Sequence, residues 1–407
     1  QQADKELPEN YNGLGYMNLI SMIFDIDLII KKMQRNKERK PADINLLFIE
    51  EPEAHTHPQM QYVFIKNIKE LLKQGILHKD GISRKLQYIV SSHSAHIVAD
   101  CDFNDIKYMV HSQKNGIFEK NSVIAKNMKD LQKEYEGDAE YKQYFAFLKQ
   151  YLTLNRSELF FADKAIFIEG DTERILLPAM MKMIDEEHEP EENENYLLSQ
   201  NVSIIEVGAY SHIFEKFMRF IGLRKCLIIT DLDCCKPVEK TDKNGRKTTK
   251  YEKAPYDVTD DNMVTSNASI KSFLKISSIK DILSDVPVKL SWDDAAICWK
   301  RNNNGNLMIA FQYGKNGAYQ PRSFEDAFFS ENKEFITSNS FSSLDPECVE
   351  KFQEDNNPYE LAQNGVNGKS SLAIEILLHG NTETNPENGH WNIPNYIKEG
   401  LLWLRKD

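Results

Sequence analysis

Two pairs of acidic residues, each following an apolar run, could together hold divalent cations. Glu169 and Glu173 follow an Ala-Ile-Phe-Ile run, and Asp231 and Asp233 follow a Cys-Leu-Ile-Ile-Thr run. If both runs are buried parallel strands, all four acids lie at one edge of a sheet. Carboxylates so close repel one another unless a cation lies between them, and oxygen ligands at this density favour Mg²⁺ or Mn²⁺. The pattern therefore predicts a two-metal site of the kind that performs phosphoryl transfer.

A second acidic strand end lies near the start of the chain. The apolar run 46–49 ends in Glu50 and Glu51, and the next apolar run is followed closely by His93. In nucleotide-hydrolysing domains, the first acid of such a pair holds Mg²⁺ and the second polarises the attacking water. We therefore assign the metal to Glu50, the general base to Glu51 and contact with a γ-phosphate to His93. The alternative is a strand that runs into an acidic helix cap.

A glycine-containing turn upstream could add a phosphate contact. Asn12, Gly13 and Gly15 precede an apolar helical stretch, so their amides and the helix N-terminus could bind a phosphate. No Gly-x-x-x-x-Gly-Lys-Ser/Thr motif occurs, because Gln363 stands where such a motif before Lys369 would need glycine. The part of an ATPase that encloses the phosphates is therefore expected to be missing, and this chain alone should bind and hydrolyse ATP poorly.

Alternating strands and helices are predicted to position these residues. Residues 1–125 and 161–235 both alternate apolar strand-like runs with amphipathic stretches, which predicts an α/β fold with largely parallel sheets. The first domain is expected to span 1–125 and the second 161–407. Residues 126–160 are charged and aromatic-rich and are predicted to form a helical linker. Beyond residue 270 we expect mostly helices and loops, with one strand near 306–311. In the second part, strands are predicted at 164–168, 202–207 and 226–230, and helices at 173–184 and 210–221.

Composition limits the class of protein. The chain has 407 residues, a hydrophobic content of 41% and a net charge of −12, which is typical of a soluble globular protein and argues against a generic basic nucleic-acid binder. No apolar run approaches the roughly 18 residues of a membrane span, and the start has no signal-peptide character. Six cysteines without a CxxC pair suggest free thiols in a reducing compartment. We therefore expect a cytoplasmic protein without a membrane partner.

Residues 236–253 form a basic insertion directly after the second acidic pair. An Asn-Gly turn in its middle predicts a mobile hairpin. Either a solvated loop or a contact to nucleic-acid phosphates would account for this charge, and the sequence leaves both open. Its basic residues are Lys236, Lys240, Lys243, Arg246, Lys247, Lys250 and Lys253.

Both halves resemble known families. The glycine turn, the Glu50–Glu51 strand end and the following Ser-His-Ser resemble the signature motif, Walker B with D-loop, and H-loop of ABC-type ATPases of the RecF and SMC kind. Glu169-Gly-Asp-Thr followed by Asp231-Leu-Asp resembles the Toprim domain. A Toprim domain behind such an ATPase is the arrangement of the OLD (overcoming lysogenization defect) family, which includes the nuclease subunit of the Gabija antiphage system.

The resemblance implies further site residues. Glu173, four residues after Glu169, would add a second metal site. The segment 322–328 resembles the downstream acidic motif of the family, in which either Glu325 or Asp326 would reach a metal. Lys369, in a Gly-Lys-Ser-Ser segment before a helix, resembles the catalytic lysine that neutralises the scissile phosphate.

The resemblance also implies a function. It suggests a DNA endonuclease that uses Mg²⁺ or Mn²⁺, regulated by an ATPase that binds ATP when complete, and acting in antiphage defence. Partners would be DNA, further copies of the chain in a homo-oligomer, and a helicase-like or other defence subunit. The alternative is an ATP-sensing or scaffolding subunit whose Toprim module is degenerate and does not cut.

Overall fold

The structure, a computed structural model, divides the chain into two units, Gln1–Phe161 and Ala162–Asp407. Asn12 and Gly13 of the predicted phosphate-binding turn, and residues 242–246 of the basic insertion, lie outside the residues it describes. The described residues are 14–34, 42–54, 56–73, 76–77, 83–114, 117–136, 139–154, 156–241, 247–314, 319–380 and 389–406.

The first unit combines helices with short strands. Its helices are α1 (Leu14–Gln34), α2 (Pro58–Lys73), α3 (Ala95–Ala99), α4 (Met128–Glu134) and α5 (Ala139–Leu154), with short 3₁₀ helices at Phe103–Asp105 and Ser157–Phe161. Its strands are β1 (Asn45–Glu50), β2 (Ile76–Leu77), β3 (Ser83–Arg84), β4 (Leu86–Ser91), β5 (Lys107–Lys114) and β6 (Ile117–Asn127).

Two parallel strands carry the first acidic group. β1 and β4 pair in parallel, with Glu50 in register with Ser91. Side chains alternate along β1, so Leu47 and Ile49 enter a core with apolar residues of α1 and α2. The predicted strand and its acidic end are therefore present.

The segment after β4 differs in part from the prediction. β5 and β6 form an antiparallel hairpin, which the prediction of a largely parallel α/β pattern over 1–125 did not include. Helices α4 and α5 lie within the predicted helical segment 126–160. Leu131, Leu148 and Leu152 on these helices are fully buried.

The second unit is larger. Its strands are β7 (Lys164–Ile168), β8 (Val202–Glu206), β9 (Lys225–Ile229), β10 (Cys234–Thr241), β11 (Lys247–Lys253), β12 (Val264–Thr265), β13 (Val288–Asp293), β14 (Cys298–Arg301) and β15 (Leu307–Ala310). Its helices are α6 (Asp171–Glu187), α7 (Glu215–Ile221), α8 (Ala268–Leu274), α9 (Ile279–Leu283), α10 (Phe324–Glu331), α11 (Lys333–Ser338), α12 (Pro346–Asp355), α13 (Pro358–Glu360), α14 (Lys369–His379) and α15 (Asn395–Arg405). Short 3₁₀ helices cover Leu197–Ser199 and Gly208–Phe214, and a π-helical turn covers Leu361–Gly365.

A six-stranded sheet positions the second acidic group. Its strand order is β14-β13-β15-β9-β7-β8, and β15, β9, β7 and β8 run parallel. Every residue of β7 is buried, as expected for a central parallel strand covered on both faces. The carboxyl ends of β7, β9 and β15 therefore meet at one edge.

Two strands beyond residue 270 were not predicted. β13 and β14 form an antiparallel hairpin at the edge of the sheet, where only helices and loops were expected. Edge strands are half exposed, so their sequences mix polar and apolar residues and lack a continuous apolar run. The predicted strand near 306–311 is present as β15.

Helix α15 lies against β9 and β15. Its approach is close at Gly400, where a Cβ would stand 2.9 Å from Leu227 Cδ1 and 3.4 Å from Ala310 Cβ. At the end of the helix, the ammonium group of Lys164 donates to the carbonyls of Leu404 and Lys406, both at 2.9 Å. These contacts fix α15 on the strands that carry the acids. Among the described residues, no helix is both long enough and apolar enough to cross a membrane.

Candidate active site

Carboxylates from neighbouring strands meet at the carboxyl edge of the six-stranded sheet. Glu169 follows β7, and Asp231 follows β9 by two residues. The Oε1 atom of Glu169 accepts a hydrogen bond from the backbone N–H of Asp231 at 3.1 Å. Asp233 adopts a left-handed backbone with φ of 49°, a conformation that non-glycine residues adopt uncommonly and that turns the chain sharply there. The predicted convergence of both acidic pairs on one sheet edge agrees with this geometry.

Two further acids come from helix N-termini. Glu173 lies in the first turn of α6 and Glu325 in the first turn of α10, with exposed fractions of 5% and 3%. Burial raises the pKa of Glu173 to about 8, and the charges of Glu325 and Glu169 add to the effect. The pKa of Asp231 is raised well above its usual value by burial, and further by the charges of four acids: Glu169, Glu173, Glu325 and Asp233. These carboxylates form a single electrostatic cluster.

Lys369 lies in this cluster. It begins α14, and its Nζ stands 2.9 Å from Glu325 Oε1. Although burial opposes the charged form, the negative charge of Glu325 raises the pKa of Lys369 above its usual value. The structure thus brings Lys369 together with the acids, as the sequence resemblance implied.

A second cation of the cluster was not predicted. The guanidinium of Arg322 is almost completely buried, and its Nη2 donates to Asp233 Oδ1 at 3.0 Å. Its Nε is buried without a hydrogen-bond partner in the described part of the chain. Arg322 is the first residue of the predicted acidic motif, so its location near the site could be predicted from the sequence. Its ion pair with Asp233 could not.

Asp326 makes hydrogen bonds outside the acidic cluster, which favours Glu325 over Asp326 as the candidate metal ligand. Its Oδ1 accepts from the backbone N–H of Ser323 at 2.7 Å, and the Ser323 side chain accepts from the backbone N–H of Asp326, so the two residues form a capping box on α10. The same Oδ1 also accepts from the Ser323 hydroxyl at 3.0 Å. Its Oδ2 accepts from Tyr319 Oη at 3.0 Å. Because these donors saturate Asp326, Glu325 is the acid of this pair that faces the cluster.

Two buried amides orient the acids, and sequence reasoning missed both. Gln312, fully buried, donates from Nε2 to Asp231 Oδ1 at 2.7 Å and accepts from the Leu232 N–H at 2.7 Å. Asn267, the N-cap of α8, donates to Glu169 Oε1 at 2.7 Å. A polar residue at the end of the apolar run 307–311, just beyond β15, was the available signal for Gln312.

Replacing Gln312 with Leu is expected to weaken Mn²⁺ binding by about 10- to 100-fold, because partners that orient metal ligands usually contribute that much. The substitution leaves Asp231 Oδ1 and the Leu232 N–H without their buried partner. Isothermal titration of Mn²⁺ measures the effect. Gln353→Leu on the exposed side of α12 is the matched control, and equal affinities of the two variants would contradict a positioning role.

The donor set fits Mg²⁺ or Mn²⁺. All the candidate ligands are carboxylate oxygens, the type these cations prefer, and three of them have pKa values raised by burial and mutual repulsion. Within the described ranges, no three His, Cys, Asp or Glu side chains already enclose a cation position. Two of the acids are instead paired with Lys369 and Arg322. These two ion pairs provide charge compensation that a bound cation would take over, and Asn267 adds a hydrogen bond to Glu169.

The residues assigned to ATP lie in the first unit. The backbone of Glu51 has a positive φ of 40°, and its Oε1 stands 3.2 Å from His93 Nε2. Glu50 ends β1 beside Ser91. Gly15 lies in the first turn of α1, not in a turn before the helix as predicted. The structure therefore brings Glu51 and His93 together at the ends of two parallel strands.

The architecture and the acidic edge define a Toprim-type domain that follows an ATPase-type unit. Residues 160–233 match the Toprim domain of overcoming lysogenization defect-like proteins, and residues 1–98 match the AAA ATPase domain. The chain thus carries an AAA-type ATPase segment and an OLD-like Toprim domain, which confirms the resemblance to the OLD family.

Two relatives and one solved structure are similar to parts of this chain. The chain is 30% identical over 425 residues to Endonuclease GajA of Bacillus cereus (strain HuB5-5), a match that covers 100% of this chain and 54% of that protein. It is 28% identical over 225 residues to Old nuclease of Escherichia phage P2, covering 54% of this chain and 33% of the relative. The chain therefore spans only about half the length of GajA. The C-terminal region of the Burkholderia pseudomallei OLD protein aligns with 60% of this chain and 98% of its own, at 17% identity and a TM-score of 0.29.

Proposed function

We propose that this chain is a metal-dependent DNA endonuclease that hydrolyses phosphodiester bonds at the acidic edge of its second unit. The observation that carries the proposal is the convergence of five acids with one lysine. Glu169, Glu173, Asp231 and Glu325 interact within one buried cluster, Asp233 adjoins it, and Lys369 contacts Glu325. Sequence similarity to two proteins named as nucleases supports the same activity.

The acids divide between two cation positions in this proposal. Glu169, Asp231 and Asp233 would hold one cation, and Glu173, Asp233 and Glu325 the other. A pair of Mg²⁺ or Mn²⁺ ions, when bound, supplies an activated water and stabilises the leaving 3′-oxygen.

The remaining residues orient and compensate charge. Gln312 and Asn267 hold the carboxylates of Asp231 and Glu169 in place through hydrogen bonds of 2.7 Å. Lys369, at the N-terminus of α14, would exchange its contact with Glu325 for the scissile phosphate and neutralise charge there as the bond breaks.

The test is cleavage of supercoiled plasmid with Mg²⁺, Mn²⁺ or Ca²⁺ by the wild-type chain and by Asp231→Ala. We expect nicked or linear products with Mg²⁺ or Mn²⁺, and a rate lowered on the order of 10²-fold or more by the substitution, because one core acid contributes several kcal/mol to transition-state stabilisation. Asp355→Ala, at the exposed end of α12, is the control. Intact plasmid with the wild-type chain, under conditions in which DNA binds, would contradict the proposal.

A non-cleaving scaffold with a degenerate Toprim module is the second candidate. It is favoured by one observation, the pairing of Lys369 and Arg322 with acids that a nuclease would use for metal. In that case Asp231→Ala would leave the biological activity of the full protein unchanged.

Regulation and biological role extend the proposal. The close approach of Glu51 and His93 suits contact with the γ-phosphate of ATP once the ATPase is complete. We propose that ATP binding controls cleavage and that the protein acts in antiphage defence, as a homo-oligomer and with a defence partner subunit. A phage-plating assay with the full-length protein and its Asp231→Ala variant tests the biological role.

A further inference from the structure

We propose that the ribbon formed by β10 and β11 is a DNA-contacting arm that follows the phosphate backbone beside the acidic site. The inference rests on the proposed function, because it concerns how the substrate of that site is held. Segment 236–253 carries seven basic and three acidic residues, a net charge of +4, in a chain whose net charge is −12. Positive charge is therefore concentrated where the rest of the protein is acidic.

The ribbon is anchored at the site and extends from it. Cys234 follows Asp233 directly, and β12 pairs with β10 at Cys234 and Cys235. The Thr265 hydroxyl donates to the Leu232 carbonyl at 2.7 Å, and the Ser266 N–H donates to the Asp233 carbonyl at 3.0 Å. Beyond Cys235, the pairing among described residues is between β10 and β11 alone.

One face of the ribbon carries a row of lysines. Lys236 and Lys240 lie on the same face of β10, because side chains alternate along a strand. Lys250 pairs across from Val238, midway between them, and so shares that face. The ion pair between Lys240 and Glu252, the cross-strand neighbour of Lys236, is consistent with this assignment. All three lysines are exposed.

The spacing of these lysines suits a DNA backbone. Lys236 and Lys240 are separated by four residues, or about 13 Å along a strand. A DNA strand carries one phosphate per about 3.4 Å of helix axis, so the row spans about four nucleotides. A two-stranded ribbon also has dimensions that the major groove admits.

The ribbon also lies where the substrate needs positive charge. Lys236 is three residues from Asp233, or about 10 Å along the strand, and Lys240 about 23 Å. The acids of the site repel phosphates, and the two cations among them are already paired with Glu325 and Asp233. A solvated ribbon could carry its lysines at any position on the surface. A ribbon that binds the DNA flanking the cleavage site requires positive charge next to the acids, which is where these lysines lie.

The test compares Lys236→Gln/Lys250→Gln with Lys182→Gln/Lys351→Gln. Both pairs remove two charges from exposed side chains, but the control pair lies on α6 and α12. Fluorescence anisotropy of a labelled DNA duplex with Ca²⁺ gives Kd between about 50 and 200 mM salt. We expect the ribbon variant to bind at least 10-fold more weakly at the lowest salt. Its log Kd should depend less steeply on log salt, by about 0.9 for each lost phosphate contact.

The outcomes separate the arm from the activity. A wild-type chain that binds and cuts DNA, with a ribbon variant of unchanged Kd and salt dependence, overturns the arm and leaves the nuclease intact. A wild-type chain that binds no DNA overturns both. Thermal unfolding of each variant verifies that the exposed substitutions leave the fold unaltered. Equal losses in both double variants would indicate a general charge effect and would also overturn the arm.

Discussion

Replacing Glu173 with Gln is expected to raise the thermal midpoint of the metal-free protein by several degrees while lowering DNA cleavage on the order of 10²-fold or more. The carboxyl is 5% exposed and lies among the charges of Glu325 and Glu169, so its ionised form is costly without a cation. The amide removes that charge at nearly constant shape. The same change removes an oxygen that we assign to a metal.

The stabilising effect of Glu173→Gln is expected to increase with pH, because of the shifted pKa of Glu173. Burial raises the pKa of Glu173 to about 8 in the folded chain, against an ordinary value of 4.5. Between about pH 4.5 and pH 8, Glu173 is ionised in the unfolded chain but still protonated in the folded chain. The free energy of unfolding of the wild type therefore falls as pH rises through this range. In EDTA, the midpoint difference between Glu173→Gln and wild type should therefore widen across that range. Glu354→Gln, on the exposed side of α12, is the control, and a difference that stays constant or narrows with pH would contradict the prediction.

Glu325→Gln is expected to impair cleavage and Asp326→Asn to impair stability, although the two residues are adjacent. Glu325→Gln removes a candidate metal ligand and the partner of Lys369, so cleavage should fall on the order of 10²-fold or more with little loss of stability. Asp326→Asn weakens the capping box of α10, so it should lower the free energy of unfolding by about 1–2 kcal/mol. Its cleavage per folded molecule should stay close to wild type.

Both readouts are needed for this pair. Plasmid cleavage with Mn²⁺ measures activity, and urea unfolding in EDTA measures stability. If Asp326→Asn abolished cleavage in a fully folded sample, Asp326 would belong to the metal site and the preference for Glu325 would be wrong. If Glu325→Gln cut at the wild-type rate, Glu325 would be a structural acid only.

The part of the site carried by strand ends could be predicted from the sequence. Buried parallel strands give continuous apolar runs, so the ends of β7 and β9 were visible, and Glu169 and Asp231 follow them. The edge hairpin of β13 and β14 lacks that signal and was missed. Sequence pattern thus located the centre of the sheet better than its edge.

The orienting groups could not be predicted, because their partners are distant in sequence. Gln312 reaches Asp231 across 81 positions and Asn267 reaches Glu169 across 98, with no spacing rule that links them. The choice between Glu325 and Asp326 is different. Ser323 stands three residues before Asp326, a capping-box spacing that can be read from the sequence, and this spacing favours Glu325 as the metal ligand.

The contact of Gly400 with the sheet links the evolution of positions that lie far apart in the chain. A Cβ at position 400 would stand 2.9 Å from Leu227 Cδ1 and 3.4 Å from Ala310 Cβ, so the Leu227 side chain would have to shift. The strands that carry Leu227 and Ala310 end two residues before Asp231 and Gln312. A larger residue at 400 would require Leu227 to move or to be replaced by a smaller residue, so these positions are expected to covary among homologues. Substitutions in α15, a helix that contributes no candidate ligand, are therefore expected to be constrained by its packing on the strands that carry the site.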